Sequence, residues 1–148
     1  MLRGSPSEGT VSWRDFRARA EGVSPAAVDE RCDALTGDSL SDILFTSGTT
    51  GRPKGAMLTH GASVKAYDTW STVVGLRAGD RYLIVNPFFH AFGLKAGILA
   101  SLIKGATIVP HAVFDVEAVM QRVAEEHISM LPGPPTIYQS ILDHPRAG

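Results

Sequence analysis

The densest concentration of chemistry in the sequence lies at positions 46–55, which read TSGTTGRPKG. Gly48, Gly51 and Gly55 permit positive φ and a close approach of ligand to backbone. The hydroxyls of Thr46, Ser47, Thr49 and Thr50 can donate to phosphate oxygens, and successive N–H groups in such a turn form an anion nest. Lys54 adds a full positive charge, and charge-assisted bonds of this kind contribute about 1.5–3 kcal/mol each. Two or three of them would fix the orientation of a polyphosphate. The Walker A loop, G-x-x-x-x-G-K-[ST], is the obvious competitor, and register tests it. Counted from Gly48, the lysine falls correctly at Lys54, but Pro53 replaces the glycine before it and Gly55 replaces the hydroxyl residue after it. The usual magnesium ligand and one loop N–H are therefore missing, which makes Walker A a near miss. The bland alternative is a Gly/Ser/Thr turn with no ligand.

A second cluster, NPFFHAFG at positions 86–93, places His90 among Phe88, Phe89 and Phe92. On residue types alone this is equally a histidine among core aromatics. His60, His111, His127 and His144 show no metal-ligand spacing with one another or with Cys32, so no metal site is expected. Cys32, the single cysteine, sits between Arg31 and Asp33 and reads as an incidental thiol. Glu125 and Glu126 read as a solvated helix edge rather than an acid/base pair.

The elements that would hold these residues alternate. Positions 1–42 are polar and punctuated by GSPSEG, Ser24-Pro25 and Thr36-Gly37-Asp38, with one short helix over 13–20 capped by Ser12. This is an approach segment rather than a core. From Ile43 the texture changes. A strand over 43–46 runs into the loop; Thr59 caps a helix over 60–74 that Gly75 stops; a turn at 78–80 leads to a strand over 82–85. A helix over 96–104, a strand over 107–109, a helix opened by Asp115, a strand over 129–131 and a helix over 136–142 follow. Val116, Val119, Met120 and Val123 recur at helical spacing and form a core face. Strands alternating with helices across short turns call for an α/β fold with a mostly parallel sheet and flanking helices.

Composition excludes several classes. The chain has 148 residues, 44% of them hydrophobic, and 14 Lys plus Arg against 15 Asp plus Glu. There is no basic stripe for nucleic acid. The apolar run 96–103 is fenced by Lys95 and Lys104 and is far short of the ~18 residues of a membrane span. The opening run MLRGSPSEGT has no apolar stretch of the kind a signal peptide needs, and a cytoplasmic location is the default expectation.

The run LFTSGTTGRPKG at 44–55 closely resembles the phosphate-binding signature of the adenylate-forming (AMP-binding) superfamily, which comprises acyl-CoA synthetases, luciferases and adenylation domains. NPFFHAFG resembles its next motif, in which a histidine and an aromatic line the acyl pocket, and ISMLPGPPTIYQSILDHP at 128–145 resembles the strand, turn and helix that follow. The similarity covers 43–145. Its wording is closest to actinobacterial ligases that activate the propionate side chain of steroid-ring fragments, and ten Arg against four Lys fits a GC-rich genome.

The resemblance implies part of the large N-terminal domain of such an enzyme. It implies ATP, Mg2+ and coenzyme A as reactants and cofactor, with a small-molecule carboxylic acid as substrate. Thr46, Ser47, Gly48, Thr49, Thr50, Gly51 and Lys54 would hold the phosphates; His90, Phe92 and Gly93 would face the acyl group. No catalytic residue falls within these positions. The motif Tyr-Gly-x-Thr-Glu, a Thr-Gly-Asp beyond the loop and the distal catalytic lysine are missing, and LRGSPSEGTVSWRDF resembles the middle of a family chain. The expectation is therefore a fragment: 1–42 as approach segment, 43–148 as a partial adenylation domain truncated at both ends, inactive alone. A non-catalytic nucleotide-binding or interaction module and a P-loop NTPase are the rival readings.

Overall fold

The computed structural model describes residues 7–47 and 51–146. Two compact units divide the chain, 1–36 and 37–148.

In the first unit Ser12 caps α1 (Trp13–Ala18), its Oγ accepting the Asp15 N–H at 3.0 Å. A 3-10 turn (Arg19–Gly22) follows, then α2 (Pro25–Asp33). The helix α2 is absent from the sequence expectation, which reads Ser24-Pro25 as punctuation. The pair is instead a helix start: Ser24 Oγ accepts the Ala27 N–H at 3.2 Å, and Pro25 takes the first helical position, where a missing N–H costs nothing. Neither α-helix buries a residue, and Trp13 and Phe16 stack on each other with centroids 5.7 Å apart.

The second unit has two sheets. β1 (Leu40–Thr46) and β2 (Lys54–Thr59) form an antiparallel hairpin whose register pairs Ile43 with Met57, Leu44 with Ala56, Phe45 with Gly55 and Thr46 with Lys54. Thr59 ends β2 and caps α3 (His60–Val73), which stops at Gly75 with φ of 76°. β3 (Arg81–Ile84) pairs in parallel with β4 (Thr107–Pro110), and on its other side Tyr82 bridges in parallel to Met130. The third strand expected over 129–131 is that single bridge.

Between β3 and β4 the chain forms a π-helix (Phe92–Leu99) continued by α4 (Ala100–Lys104). This replaces the expected helix over 96–104 and starts four residues earlier. Glycine packing accounts for the path: a Cβ on Gly93 would lie 2.3 Å from the Pro87 carbonyl oxygen, and one on Gly97 would lie 3.0 Å from the Ile84 side chain. The helix can run this close to β3 and its exit only without those side chains. α5 (Val116–Glu125), capped by Asp115, and α6 (Pro135–Leu142) complete the unit.

β3 is buried on both faces, as parallel strands between helices are. Leu83 and Val85 join Val109, Val119 and Ile137 in one cluster; Tyr82 and Ile84 join Leu76 and Ala100 in the other. Val119, fully buried, is the centre of the predicted α5 face. The fold is α/β with parallel pairing at its centre, and the antiparallel hairpin is an addition to the sequence expectation.

Candidate functional site

Thr46 and Lys54 are direct partners across the mouth of the hairpin, so their side chains share a face. The Thr46 hydroxyl donates to the Lys54 carbonyl at 3.4 Å. Thr46, Ser47, Gly51 and Lys54 are all exposed, and Gly51 has φ of 80°, a conformation favouring glycine. Gly48, Thr49 and Thr50 lie outside the described residues. The hairpin thus brings the flanking hydroxyls and the ammonium to one accessible end, with at least one glycine in the left-handed region. This differs from a Walker A loop in kind as well as in register, because a strand follows the loop and not a helix N-terminus.

The second motif begins where β3 ends. The turn is closed by His90 N–H donating to Pro87 O at 3.0 Å, and His90 Nδ1 accepts the Phe92 N–H at 3.1 Å. With Nδ1 an acceptor, the hydrogen-bonding pattern assigns the proton to Nε2 in the neutral ring. His90 is exposed, so this N–H is available as a donor to an oxygen. The Phe92 ring meets Trp70 of α3 edge-on at 6.1 Å and is half-buried. Gly93 is buried against the carbonyls of Asn86 and Pro87. Its place follows from packing: it lets the helix begin beside the turn that presents His90.

Helix α3 connects the two motifs, packing against β1, β2 and the π-helix. Across this junction runs a charge pair that the sequence expectation misses. Lys95 is 5% exposed; its Nζ donates to Asp42 Oδ2 at 2.5 Å and to Ser63 Oγ at 3.1 Å. The lysine reads in sequence as the fence of an apolar run. Its partners lie 53 and 32 positions away, and only the fold reveals that it points inward. The Lys95 ammonium and then the Ser41 hydroxyl hold the Asp42 carboxyl below the usual carboxylate range. A cleft of about 350 Å³ opens beside the pair, walled by Val64, Leu94, Ile98 and Leu102.

A second cleft, about 430 Å³, lies outside the carboxyl ends of β3 and β4 among Pro87, Phe88, Phe89, Pro110 and His111. That edge is where open α/β sheets receive ligands. Here His111 Nδ1 stands 3.2 Å from Arg122 Nη1, which donates to Pro110 O at 2.8 Å. Glu126, expected to be solvated, is instead half-buried and paired with both Arg122 and Arg81 at 2.7 and 3.3 Å. Arg122 first, and Arg81 after it, lower its carboxyl from the ordinary value. Glu126 is thereby committed to structure. Cys32 is exposed. Among the described residues no group of three His, Cys, Asp or Glu could hold a metal ion, and no helix is long and apolar enough to cross a membrane.

The family model of the AMP-binding enzyme matches residues 4–148, taking in the first forty residues as well as both motifs. The chain belongs to the AMP-binding enzyme family. Among curated AMP-binding relatives, a methyl-dioxo-octahydroindenyl propanoyl:CoA ligase of Rhodococcus jostii is 52% identical over 93% of this chain, which covers 27% of the relative. The Mycobacterium tuberculosis ligase of the same name is 49% identical over 90% of the chain and 26% of the relative. A feruloyl-CoA synthase from Amycolatopsis is 42% identical over 84%. The chain thus spans about a quarter of the length of the curated relatives it matches.

Solved structures agree. The o-succinylbenzoate CoA synthetase of Bacillus subtilis in complex with ATP and magnesium aligns at a TM-score of 0.67 and 33% identity, over 74% of this chain and 23% of that one. The ATP-bound MatB of Rhodopseudomonas palustris aligns at 0.68 and 32%, over 75% and 22%.

Proposed function

We propose that this chain is the phosphate-loop and acyl-motif portion of an ATP-dependent acid–thiol ligase, with residues 1–42 leading into a partial adenylation domain at 43–148. The observation that carries the reading is the hairpin end, where Thr46, Ser47 and Lys54 stand exposed around the glycine-rich turn. A carboxylate is a poor electrophile. Its oxygen attacks the α-phosphorus of ATP, the bond to the bridging oxygen breaks, and pyrophosphate leaves in line. Lys54 and the hydroxyls of Thr46, Ser47, Thr49 and Thr50 hold the β- and γ-phosphates, and the charge gathering on pyrophosphate falls against the ammonium. Gly48 and Gly51 let the backbone approach. The thiol of coenzyme A then attacks the acyl carbon, forming the thioester and expelling AMP.

Magnesium suits this donor set: Mg2+ takes one or two protein oxygens and completes its shell with substrate phosphates and water, and hydroxyls flank the loop. When bound it neutralises phosphate charge. His90 Nε2–H orients the acid carboxylate, Phe92 offers an apolar wall, and Gly93 sets their position. The names of the relatives nominate a propionate side chain on a fused, ketone-bearing ring as the acid. The reaction belongs in the cytoplasm, where ATP and coenzyme A are available.

The test is carboxylate-dependent exchange of labelled pyrophosphate into ATP by a full-length protein containing this chain. Exchange that requires the acid supports the ligase; phosphate release without an acid, or nucleotide binding without turnover, overturns it in favour of an NTPase or a binding module. The segment 1–148 alone is expected to give no exchange.

A further inference from the structure

We infer that Asp42 and Lys95 are positioning residues that couple the phosphate loop to the acyl motif, so that occupancy of one site by ATP and of the other by the acid reinforce each other. The inference rests on the functional reading above and adds residues that neither motif contains.

Placement carries the argument. Side chains alternate along a strand, so Asp42, Leu44 and Thr46 share one face of β1 while Ile43 and Phe45 share the other. Burial follows this division: Asp42 and Leu44 are half-buried, Ile43 and Phe45 exposed. Asp42 therefore lies on the face that carries Thr46 and its partner Lys54, four residues or about 13 Å from the loop along a paired strand. The register irregularity between Leu40 and Asp42 marks the root of this strand, and irregularities of that kind re-aim a neighbouring side chain. Lys95 lies on the π-helix three residues after Phe92 and two after Gly93, in the segment whose first turn is fixed by His90 Nδ1. The pair thus joins the root of the phosphate hairpin directly to the helix that presents the acyl motif.

A buried ammonium is a demanding tie. Lys95 must keep both Asp42 and Ser63 within hydrogen-bond distance, and Asp42 Oδ1 is already buried with no partner among the described residues. Moving either element would leave a charge unpaired away from water, which costs far more than an apolar contact slipping by the same distance. Displacement of the hairpin is therefore transmitted to the helix, and the reverse. Asp42, Ser63 and Lys95 line the adjoining cleft together with Val64, Leu94 and Ile98.

The test uses the full-length protein, α,β-methylene ATP with Mg2+, and a fused-ring propionic acid, so that both ligands bind without reacting. The dissociation constant of the nucleotide is measured with and without saturating acid in the wild type, in Asp42→Asn/Lys95→Met and in Ser63→Ala. The double variant leaves no unpaired buried charge, and Ser63→Ala keeps the ion pair while freeing one side of the ammonium. In the wild type the acid tightens nucleotide binding by about fivefold or more, within the usual range of coupling between sites. The ratio falls to about one in the double variant and to an intermediate value in Ser63→Ala, although each ligand alone still binds. A purely structural pair would lower thermal stability and leave the ratio unchanged; an unchanged ratio in the variants, or a wild-type ratio of one, overturns the inference. Pyrophosphate exchange by the wild type is scored separately, because its absence removes the ligase reading itself.

Discussion

The β3 sheet and the β1–β2 hairpin are built on opposite plans. β3 has side chains buried on both faces, Leu83 and Val85 to one side and Tyr82 and Ile84 to the other, each at or below 8% exposure. The hairpin is covered on one face only; Phe45 is 76% exposed, and Met57, the cross-strand partner of Ile43 on the same outer face, is 68% exposed. The first arrangement resists movement because any shift opens voids in two close-packed layers at once. The second leaves Thr46, Ser47 and Lys54 exposed at its open end. The stable core and the proposed phosphate site are therefore separated along the chain, with the Asp42–Lys95 pair and α3 between them. Substitutions in the two regions should fail in different ways, and full-length protein allows both readouts to be taken on the same sample.

The largest effect is expected at the sheet. Leu83→Ala should lower unfolding stability by about 3 kcal/mol through the lost burial and the remaining cavity. Urea denaturation checks it, and a loss below the range of ordinary surface substitutions would contradict a two-faced core. Lys54→Ala should do the reverse. Pyrophosphate exchange should drop about 100-fold, the scale of removing one donor to developing charge, while stability stays within about 0.5 kcal/mol. If exchange persists and stability falls, the separation of roles is wrong.

Gly93→Ala lies between these extremes. The new methyl meets the Pro87 and Asn86 carbonyls, so about 2 kcal/mol of stability should be lost to overpacking, and the KM for the acid should rise with it. Normal stability with a raised KM would show that Gly93 faces the substrate instead.

Acid titration gives a smaller effect. Asp80 accepts the Arg77 N–H at 2.8 Å and the Ser129 hydroxyl at 2.8 Å, and these two bonds, in that order, lower its carboxyl. A carboxyl lowered in the folded state contributes stability that is present above its unfolded value, about 4, and is lost as pH falls through the folded value. Stability should therefore decline below about pH 4, with a shallower decline in Asp80→Asn. Smallest of all, Ser12→Ala removes a cap from a helix that buries nothing. About 1 kcal/mol should be lost from α1 alone, seen as faster exchange of the Asp15 and Phe16 amides with no change in global unfolding.

Much of this division is legible in the residues. The α5 face, the Thr59 cap and the Gly75 stop follow from local signals, namely helical spacing, a side-chain oxygen before a helix and a residue free to take positive φ. β2 is not legible in this way. Lys-Gly-Ala-Met-Leu-Thr has little intrinsic preference for extended structure, and the strand exists because β1 lies alongside it. The π-helix escapes for a related reason: Gly93 and Gly97 weaken a helix by propensity, yet here they permit its approach to β3. At the candidate site, the glycine-rich loop is visible because its residues are contiguous. The Asp42–Lys95–Ser63 cluster is not, because a charge flanking an apolar run looks the same whether it faces water or finds a carboxylate 53 residues away.

The edge-on contact between Trp70 and Phe92 gives the motif at 86–93 an optical reporter. An indole's emission depends on the polarity and motion of what touches it. Among the described residues the sequence has one other tryptophan, Trp13, which is 48% exposed in the first unit. Replacing Trp13 with phenylalanine would leave Trp70 as the fluorophore of residues 1–148. A shift in its spectrum on mixing with an acid would then report a change in the surroundings of the Trp70–Phe92 contact, without a label and before any bond is made.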